Sequence, residues 1–289
     1  MPLSDLIKSV LQGILQGITE WLPVSSTGHM ILFQRVLGMH VSDTFLGLYL
    51  VVIQLGSALA VLLLYRKQLF PCLFDVPRVP AGRATAWRRT LSLWSRILVA
   101  VLPGALVGFL LDDWFETHLC HPAVVAAALI IYGTLYLFME KLPRRKNAAP
   151  DISSPEAISF REALAIGAFQ TLALIPGTSR SGSTILGATL VGLPRTAAAE
   201  FSFFLAIPTI CGASLLKGVK YCLREQALPT KEEWLLLLAG TLTAFLVSCI
   251  VIRFLVDFVK KHTFAVFGIW RIALGCLVLF LLARGVIRT

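Results

Sequence analysis

Two short polar segments interrupt the apolar sequence and carry residue types that could bind and cleave a phosphate group. In the first, Gln12, Gln16 and Glu20 are spaced four residues apart, so a helix would place all three on one face. Pro23 ends that helix, because proline disfavours helical backbone at the residue before it. The hydroxyl-rich run VSSTGHM follows at 24–30, and its serines and threonine are suited to start a second helix.

The second polar segment repeats this arrangement with an arginine at its centre. Its first helix ends at Pro176, and the run GTSRSGST follows at 177–184. Free backbone N–H groups at a helix start, hydroxyl donors and the Arg180 guanidinium together suit a phosphate. The residues predicted to line the phosphate pocket are Gln16, Ser25, Thr27, Gly177, Thr178, Ser179, Ser181, Gly182 and Thr184.

Three ionisable residues, Glu20, His29 and Arg180, lie in apolar surroundings, where such side chains are costly and by default functional. Their position beside two hydroxyl-rich breaks predicts one polar active site. Two alternatives stay open at this point. Each hydroxyl run could serve only as a helix cap, and Glu20 could lie at a membrane interface, because Trp21 beside it is typical of an aromatic belt.

The composition predicts an integral membrane protein. Of the 289 residues, 57% are hydrophobic and 15% are charged, and the mean hydropathy is +0.80. Soluble domains have about 45–50% apolar and about 25% charged residues. These values exclude a disordered chain, a secreted disulfide scaffold and an ordinary cytosolic enzyme. The six cysteines show no CxxC spacing and are interpreted as small apolar residues.

Six stretches are long and apolar enough to cross a bilayer, which takes about 20 residues. They are 44–65, 91–111, 122–139, 197–216, 235–256 and 264–283. The two remaining apolar segments, 5–40 and 161–193, contain the polar breaks.

The two broken segments indicate an internal repeat. Gly28 follows Gln16 by twelve residues, and Gly182 follows Gln170 by the same interval. Three spans come after each break, and because three is odd, the second copy must be inverted in the membrane. We therefore predict an all-α fold in a single membrane domain over 1–289, with repeats at 1–140 and 161–289. In it, 5–40 and 161–193 are re-entrant hairpins whose breaks meet near the midplane. The alternative is that two broken amphipathic helices merely look alike.

The net charge of +10 is concentrated in short loops, which is typical of membrane topology rather than of nucleic-acid binding. Loops 66–90 and 140–161 are basic and are predicted to be cytoplasmic. Loop 112–121 has acidic residues without lysine or arginine and is predicted to lie outside. The N-terminus then begins outside.

The second half of the chain is less consistent with this rule. Lys260 and Lys261 favour a cytoplasmic loop at 257–263, which puts 217–234 outside. That outer loop nevertheless contains four basic residues, Lys217, Lys220, Arg224 and Lys231. Arg253 and Arg271 flank the 257–263 loop and are expected to snorkel to the interface.

The residues of both breaks resemble a known family. QGITE (16–20), PVSSTGH (23–29) and PGTSRSG (176–182) resemble the bacterial undecaprenyl-diphosphate phosphatase family associated with bacitracin resistance, and the resemblance covers nearly the whole chain. It implies a multi-pass enzyme of the bacterial inner membrane, with six spans and two re-entrant hairpins, that hydrolyses undecaprenyl diphosphate and recycles the lipid carrier for cell-wall synthesis. It also implies a site open to the periplasm and a divalent cation. The family takes Glu or Gln at the position of Gln16.

Roles for the site residues follow from their chemistry. We expect Arg180 to hold the terminal phosphate bidentately, and Glu20 with Gln16 to hold Mg²⁺ or Ca²⁺ through oxygen ligands. Ser26 is the preferred nucleophile and His29, three residues later, its base, whereas Ser25 is the expected N-cap. A metal-activated water is the rival to Ser26.

Two other functions stay open. A transporter or flippase for a polyprenyl lipid or an anion would share the inverted repeat, but has no need for a histidine–hydroxyl pair beside an arginine. A phosphatase resembling the type-2 phosphatidic-acid phosphatases would need a histidine soon after the arginine, whereas the next histidine after Arg180 is His262. The predicted partners are a polyprenyl diphosphate lipid and the bilayer, with no nucleic acid, and a homodimer is compatible with the sequence.

Overall fold

The computed structural model describes residues 3–74, 82–139, 155 and 158–287. These residues form α-helices and short 3₁₀ turns, and none of them lies in a strand, which confirms the predicted all-helical class. The helices are, in chain order, α1 (Leu3–Thr19), α2 (Ser26–Leu37), α3 (Asp43–Val52), α4 (Gln54–Leu64), α5 (Arg66–Leu69), α6 (Pro71–Phe74), α7 (Gly82–Leu119), α8 (Pro122–Met139), α9 (Phe160–Thr171), α10 (Arg180–Leu190), α11 (Arg195–Glu225), α12 (Lys231–Lys261) and α13 (Ala265–Ala283).

Six helical stretches within the described ranges are long and apolar enough to cross a membrane. They are Asp43–Leu64, Ala84–Leu111, Pro122–Met139, Arg195–Glu225, Lys231–Lys261 and Ala265–Ala283. Each overlaps one of the six predicted spans, so the chain is a multi-pass membrane protein. Leu102, Leu106 and Phe109 of α7 are exposed, as expected of a helix face that contacts lipid tails.

Three of these helices are longer than the predicted spans. The predicted ranges 91–111, 197–216 and 235–256 are the apolar middle parts of α7, α11 and α12. Hydropathy detects only the part of a helix that contacts hydrocarbon, whereas backbone hydrogen bonding continues into the polar residues on either side. The predicted span 44–65 consists instead of α3 and α4, which meet at Ile53.

The two broken segments have the same local structure. Residues 20–25 separate α1 from α2, and residues 172–179 separate α9 from α10. Ser25 and Ser179 are the N-caps of the second helices, and each side chain accepts a hydrogen bond from the glycine three residues later. Both have a positive φ, 70° and 72°, which is uncommon for residues with a Cβ and concentrates at functional sites. The expected N-cap role of Ser25 is confirmed.

Each broken segment packs on a long helix from the other half of the sequence. The helix α1 lies along α12, α9 lies along α7, and α8 packs against α13. Two glycines allow the close approach of the first two pairs. A Cβ added at Gly13 would collide with the carbonyl oxygen of Gly240, and one at Gly167 would collide with that of Ala100. This exchange of partners brings the loops 20–25 and 172–179 together.

The protein core lies beside these loops, around α11. Phe201, Phe203 and Phe204 of this helix are fully buried. Trp21, from the first loop, is also fully buried and packs edge-on against Phe203, with ring centres 5.2 Å apart. The first loop is therefore anchored in the core by its aromatic residue, rather than held at the membrane interface.

Candidate active site

The two polar loops meet at an ion pair between Glu20 and Arg180. Glu20 directly follows α1, and Arg180 is the first residue of α10. Nη2 of Arg180 lies 2.8 Å from Oε1 of Glu20, although 160 positions separate the two residues. Their side chains are 12% and 5% exposed, respectively. The sequence predicts each charge at a break, and the structure brings the two charges into contact.

Gln16 holds the other oxygen of the Glu20 carboxylate. Its Nε2 donates to Oε2 of Glu20 over 2.8 Å, as the four-residue spacing on one helix face allows. Each carboxylate oxygen therefore accepts one hydrogen bond, and the carboxylate is fixed in orientation. Gln12 is also buried, and its amide atoms have no hydrogen-bond partner among the described residues.

Arg180 has a second partner, and one of its three nitrogen atoms has none among the described residues. Nη1 donates to the backbone oxygen of Ser202 in α11 over 2.8 Å, and the guanidinium lies 5.5 Å from the centre of the Trp21 ring. The Nε atom is buried and finds no hydrogen-bond partner in the described part of the chain. Leaving a buried donor unpaired costs about 1–3 kcal/mol, so this atom is suited to receive a ligand oxygen.

The predicted hydroxyls of the second loop mainly contact protein. The Ser181 hydroxyl donates to the backbone oxygen of Glu20 over 3.0 Å, and it lies 3.2 Å from the hydroxyl oxygen of Ser179. Thr184 faces α11, where its hydroxyl lies 2.6 Å from the hydroxyl of Ser202. Ser181 therefore joins the two loops, whereas Ser179 and Thr184 secure α10.

Gly177, Thr178 and Gly182 shape the second loop through their backbones. Gly177 has a φ of 93°, and a Cβ at this position would collide with the backbone of Val125, so the loop requires glycine there. Thr178 is fully buried. The carbonyl oxygen of Gly182 accepts a hydrogen bond from the Tyr136 phenol over 2.7 Å. Substrate binding by these three residues stays a prediction.

The first loop places its serines at the start of α2. Ser25 is fully buried as the N-cap, and Ser26 after it is half-buried. Thr27 belongs to α2, but its side chain lies outside the described residues. Nδ1 of His29 lies 2.7 Å from the backbone oxygen of Ser25, so the imidazole is held over the first turn of its own helix.

Trp270 of α13 sets the tautomer of His29. Its indole N–H donates to Nε2 of His29 over 3.1 Å, and the two rings are nearly parallel, at 4°. Because Nε2 accepts, Nδ1 carries the proton and donates to the Ser25 carbonyl. Ser26 and His29 therefore lie within one turn of the same helix, but the hydrogen bonds of the imidazole go to Ser25 and Trp270.

Arg271 does not snorkel to the membrane interface, in contrast to the expectation from its place in the sequence. The side chain is fully buried, because α13 begins at Ala265 and carries Arg271 inside the protein. Its guanidinium joins both loops by donating to three carbonyl oxygens, those of Pro23 (3.3 Å), Gly177 (2.9 Å) and Thr178 (2.7 Å).

A signal for Arg271 was present in the sequence. It is an ionisable residue inside an apolar run, which is the same pattern that identifies Arg180 as functional. No described carboxylate forms an ion pair with Arg271. Its charge therefore adds to that of the Glu20–Arg180 pair and gives the site a net positive charge, which attracts an anion.

Replacing Arg271 with lysine is expected to lower the free energy of unfolding by about 3 kcal/mol, because an ammonium cannot reproduce the planar fork that spans both loops. Denaturant unfolding of the detergent-solubilised protein measures this change. The control is Arg253→Lys, since Arg253 is exposed on α12 and should change stability by less than about 0.5 kcal/mol. Equal stabilities of the two variants would show that the loops do not depend on Arg271.

The oxygen donors around Glu20 allow a test of whether a divalent cation fits. No group of three His, Cys, Asp or Glu side chains within the described ranges is placed to hold a metal ion. Each oxygen of Glu20 accepts a single hydrogen bond and keeps a lone pair for a ligand. Gln16 uses its amide N–H in this contact, so its amide oxygen is left as a further possible ligand for a cation. This set fits a hard cation whose shell is completed by substrate oxygens and water.

The chain is similar to known proteins over nearly its whole length. The model of the family described as bacitracin resistance protein BacA matches residues 9–277. The chain is similar to the undecaprenyl-diphosphatase of Streptococcus suis (strain 05ZYH33), with 46% identity over 277 residues that cover 96% of each chain. It is also similar to undecaprenyl-diphosphatase 1 of Clostridioides difficile (strain 630), with 48% identity over 277 residues and 96% of each chain covered. The undecaprenyl-diphosphatase of Acetivibrio thermocellus is 47% identical over 274 residues, which cover 95% of this chain and 96% of the relative. Since the family match includes both polar loops and Arg271, the chain belongs to the bacitracin resistance protein BacA family.

Proposed function

We propose that this protein hydrolyses undecaprenyl diphosphate to undecaprenyl phosphate and inorganic phosphate. The name undecaprenyl-diphosphatase belongs to its relatives in three genera. The observation on this chain that carries the proposal is the buried Glu20–Arg180 contact, because it gathers a phosphate-binding cation, an oxygen ligand and two hydroxyl-rich loops in one place. The reaction recycles the lipid carrier for cell-wall synthesis and supports resistance to bacitracin.

Arg180 binds the terminal phosphate of the substrate. Its Nε has no hydrogen-bond partner among the described residues, and a phosphate oxygen can replace Glu20 at Nη2, so the guanidinium can present two parallel donors. Arg271 supplies a second positive charge from behind the loops while it keeps them in register. Binding energy therefore comes from charges that the fold has already buried, which limits reorganisation during the reaction.

Ser26 is the nucleophile that attacks the terminal phosphorus. Its Oγ forms a new O–P bond while the bond from this phosphorus to the bridging oxygen breaks, and undecaprenyl phosphate leaves. His29 takes the Ser26 proton at Nε2 once its contact with Trp270 opens, and Nδ1 keeps its bond to Ser25. A water molecule then attacks the phosphoserine, the bond from phosphorus to Oγ of Ser26 breaks, and His29 returns its proton to Oγ. Inorganic phosphate leaves with the protons of the water, and Ser26 is restored.

Glu20 and Gln16 would hold Mg²⁺ or Ca²⁺ together with oxygens of the substrate. When bound, such a cation supplies charge neutralisation for the diphosphate. In the absence of substrate, Arg180 and the Gln16 amide keep the Glu20 carboxylate in place.

The chain is a single membrane domain in which 1–140 and 161–289 form an inverted repeat. The matching strained caps at Ser25 and Ser179 and the exchanged packing of α1 on α12 and α9 on α7 support this proposal. The hairpin helices α1, α2, α9 and α10 have 17, 12, 12 and 11 residues. All are shorter than the roughly 20 residues that a bilayer requires, so 5–40 and 161–193 enter the membrane and return.

The proposed location is the bacterial inner membrane, with the active site open to the periplasm. On this orientation, Cys120, exposed between α7 and α8, reacts with a membrane-impermeant maleimide in intact cells when the other five cysteines are replaced by alanine. In a variant without native cysteines, His262→Cys, exposed between α12 and α13, reacts only after permeabilisation. The reverse labelling pattern would place the opening on the cytoplasmic side.

Phosphate release from undecaprenyl diphosphate by the purified protein in detergent tests the proposed reaction. We expect turnover that a chelator removes and that added Mg²⁺ or Ca²⁺ restores. A transporter or flippase would leave the diphosphate intact in this assay, and turnover that persists with a chelator would remove Glu20 and Gln16 as cation ligands.

A further inference from the structure

A charged cavity lies far from the Glu20–Arg180 contact. It has a volume of about 520 Å³ and is formed where α11 approaches its end and α3 begins. Its lining includes three basic residues of α11, Lys217, Lys220 and Arg224. We infer that this cavity, here called the α3–α11 cavity, binds a phosphate group, either of a membrane lipid or of free inorganic phosphate.

The basic side chains converge because of their spacing. Positions 217, 220 and 224 correspond to i, i+3 and i+7, which share one face of a helix. Asp43 is the only acidic residue among the described residues of the lining, so basic side chains outnumber acidic ones there by two. Thr44 adds a hydroxyl group to the same wall, whereas the Tyr221 hydroxyl contacts Glu233, and Glu225 also lies near Tyr221. Several cations and a hydroxyl around one open volume suit an anion with several oxygen atoms.

This cavity is separate from the proposed active site. Ser202, which accepts a hydrogen bond from Arg180, lies on the same helix as Lys217. The two residues are 15 positions apart, which corresponds to about 22 Å along the helix axis. A diphosphate held by Arg180 cannot reach the cavity, so these cations have no part in the hydrolysis proposed above.

The position of these cations in the chain also requires an explanation. On the proposed orientation, they lie on the outer side of the membrane, against the general preference of lysine and arginine for the cytoplasmic side. They directly follow the predicted span 197–216, where a helix leaves the hydrocarbon and reaches the lipid headgroups. An anionic ligand explains why this basic cluster occurs where topology alone disfavours it.

Binding of two probes to the purified full-length protein tests this inference. The first probe is phosphatidylglycerol, compared with phosphatidylcholine by native mass spectrometry, and the second is inorganic phosphate, followed by thermal shift. The test variant carries Lys217→Gln, Lys220→Gln and Arg224→Gln. We expect it to bind the active probe roughly a hundredfold more weakly, since each cation near a lipid phosphate contributes about a factor of five. The matched control carries Lys231→Gln, Lys260→Gln and Lys261→Gln, which removes three exposed charges outside the cavity.

A second variant separates a shaped site from general surface charge. A Cβ added at Gly47 meets no atom within 4 Å, and Gly47 lines the cavity. Gly47→Leu therefore adds a bulky apolar group to the cavity wall and keeps all three cations, and we expect it to weaken binding as well. Preference for phosphatidylglycerol identifies a lipid headgroup, and a response to inorganic phosphate alone identifies the free ion. Binding of neither probe, equal losses in the control, or full binding by Gly47→Leu would overturn the inference.

Discussion

Arg180→Lys is expected to lower phosphate release from undecaprenyl diphosphate by at least about a hundredfold, the usual effect of removing one aligned donor to a developing oxyanion. Lysine keeps the positive charge beside Glu20. It cannot hold the Ser202 carbonyl and two phosphate oxygens in one plane, as the guanidinium can. The loss should therefore fall on kcat as well as on KM, and steady-state kinetics in detergent measures both.

Stability measurements distinguish this catalytic loss from unfolding. The free energy of unfolding of Arg180→Lys should lie within about 1 kcal/mol of that of the parent protein, because the ion pair with Glu20 can re-form. The exposed Arg253→Lys variant again provides the control. Near-normal turnover by Arg180→Lys would remove Arg180 from phosphate binding.

Ser26→Ala and His29→Ala should each lower turnover by about three orders of magnitude or more, because the proposed attack needs both the Ser26 hydroxyl and its base. Since residues that act as a unit are not additive, the double variant should be no slower than either single variant. Ser25→Ala should lose less, since Ser25 caps α2 and holds the imidazole only through its backbone carbonyl. Acid quenching of a brief reaction should trap a phosphoserine at Ser26.

One outcome would replace Ser26 as the nucleophile. If Ser26→Ala retains a substantial rate, Glu20→Ala does not, and no phosphoserine is trapped, then a water molecule attacks the phosphorus directly. In that case Ser26 only positions the phosphate.

The sequence predicts the spans well because lipid imposes a strong requirement on them. About twenty apolar residues are needed to cross hydrocarbon, and all six predicted stretches lie in apolar helices. The ends of α7, α11 and α12 were less predictable, because a helix can continue into polar surroundings where no hydropathy signal exists. The break at Ile53 between α3 and α4 has no local signal either, since neither glycine nor proline marks it.

The sequence predicts those residues of the site whose side chains are unusual in an apolar segment. Glu20 and Arg180 are recognisable because charges inside apolar runs need partners. The identity of those partners was not predictable, since 160 positions separate the two residues. Arg271 and Ser202 contribute through contacts with backbone carbonyls. Every residue has a carbonyl, so a sequence pattern does not indicate which ones a buried guanidinium will meet.

The contacts of Arg271 also determine when the site becomes complete during synthesis. Its three acceptors belong to Pro23, Gly177 and Thr178, all of which are translated and inserted before α13. Until α13 reaches the membrane, both loops lack the guanidinium that joins them. A nascent chain therefore passes most of its biosynthesis without an assembled catalytic centre, and premature termination before α13 yields a membrane protein with no organised phosphate site.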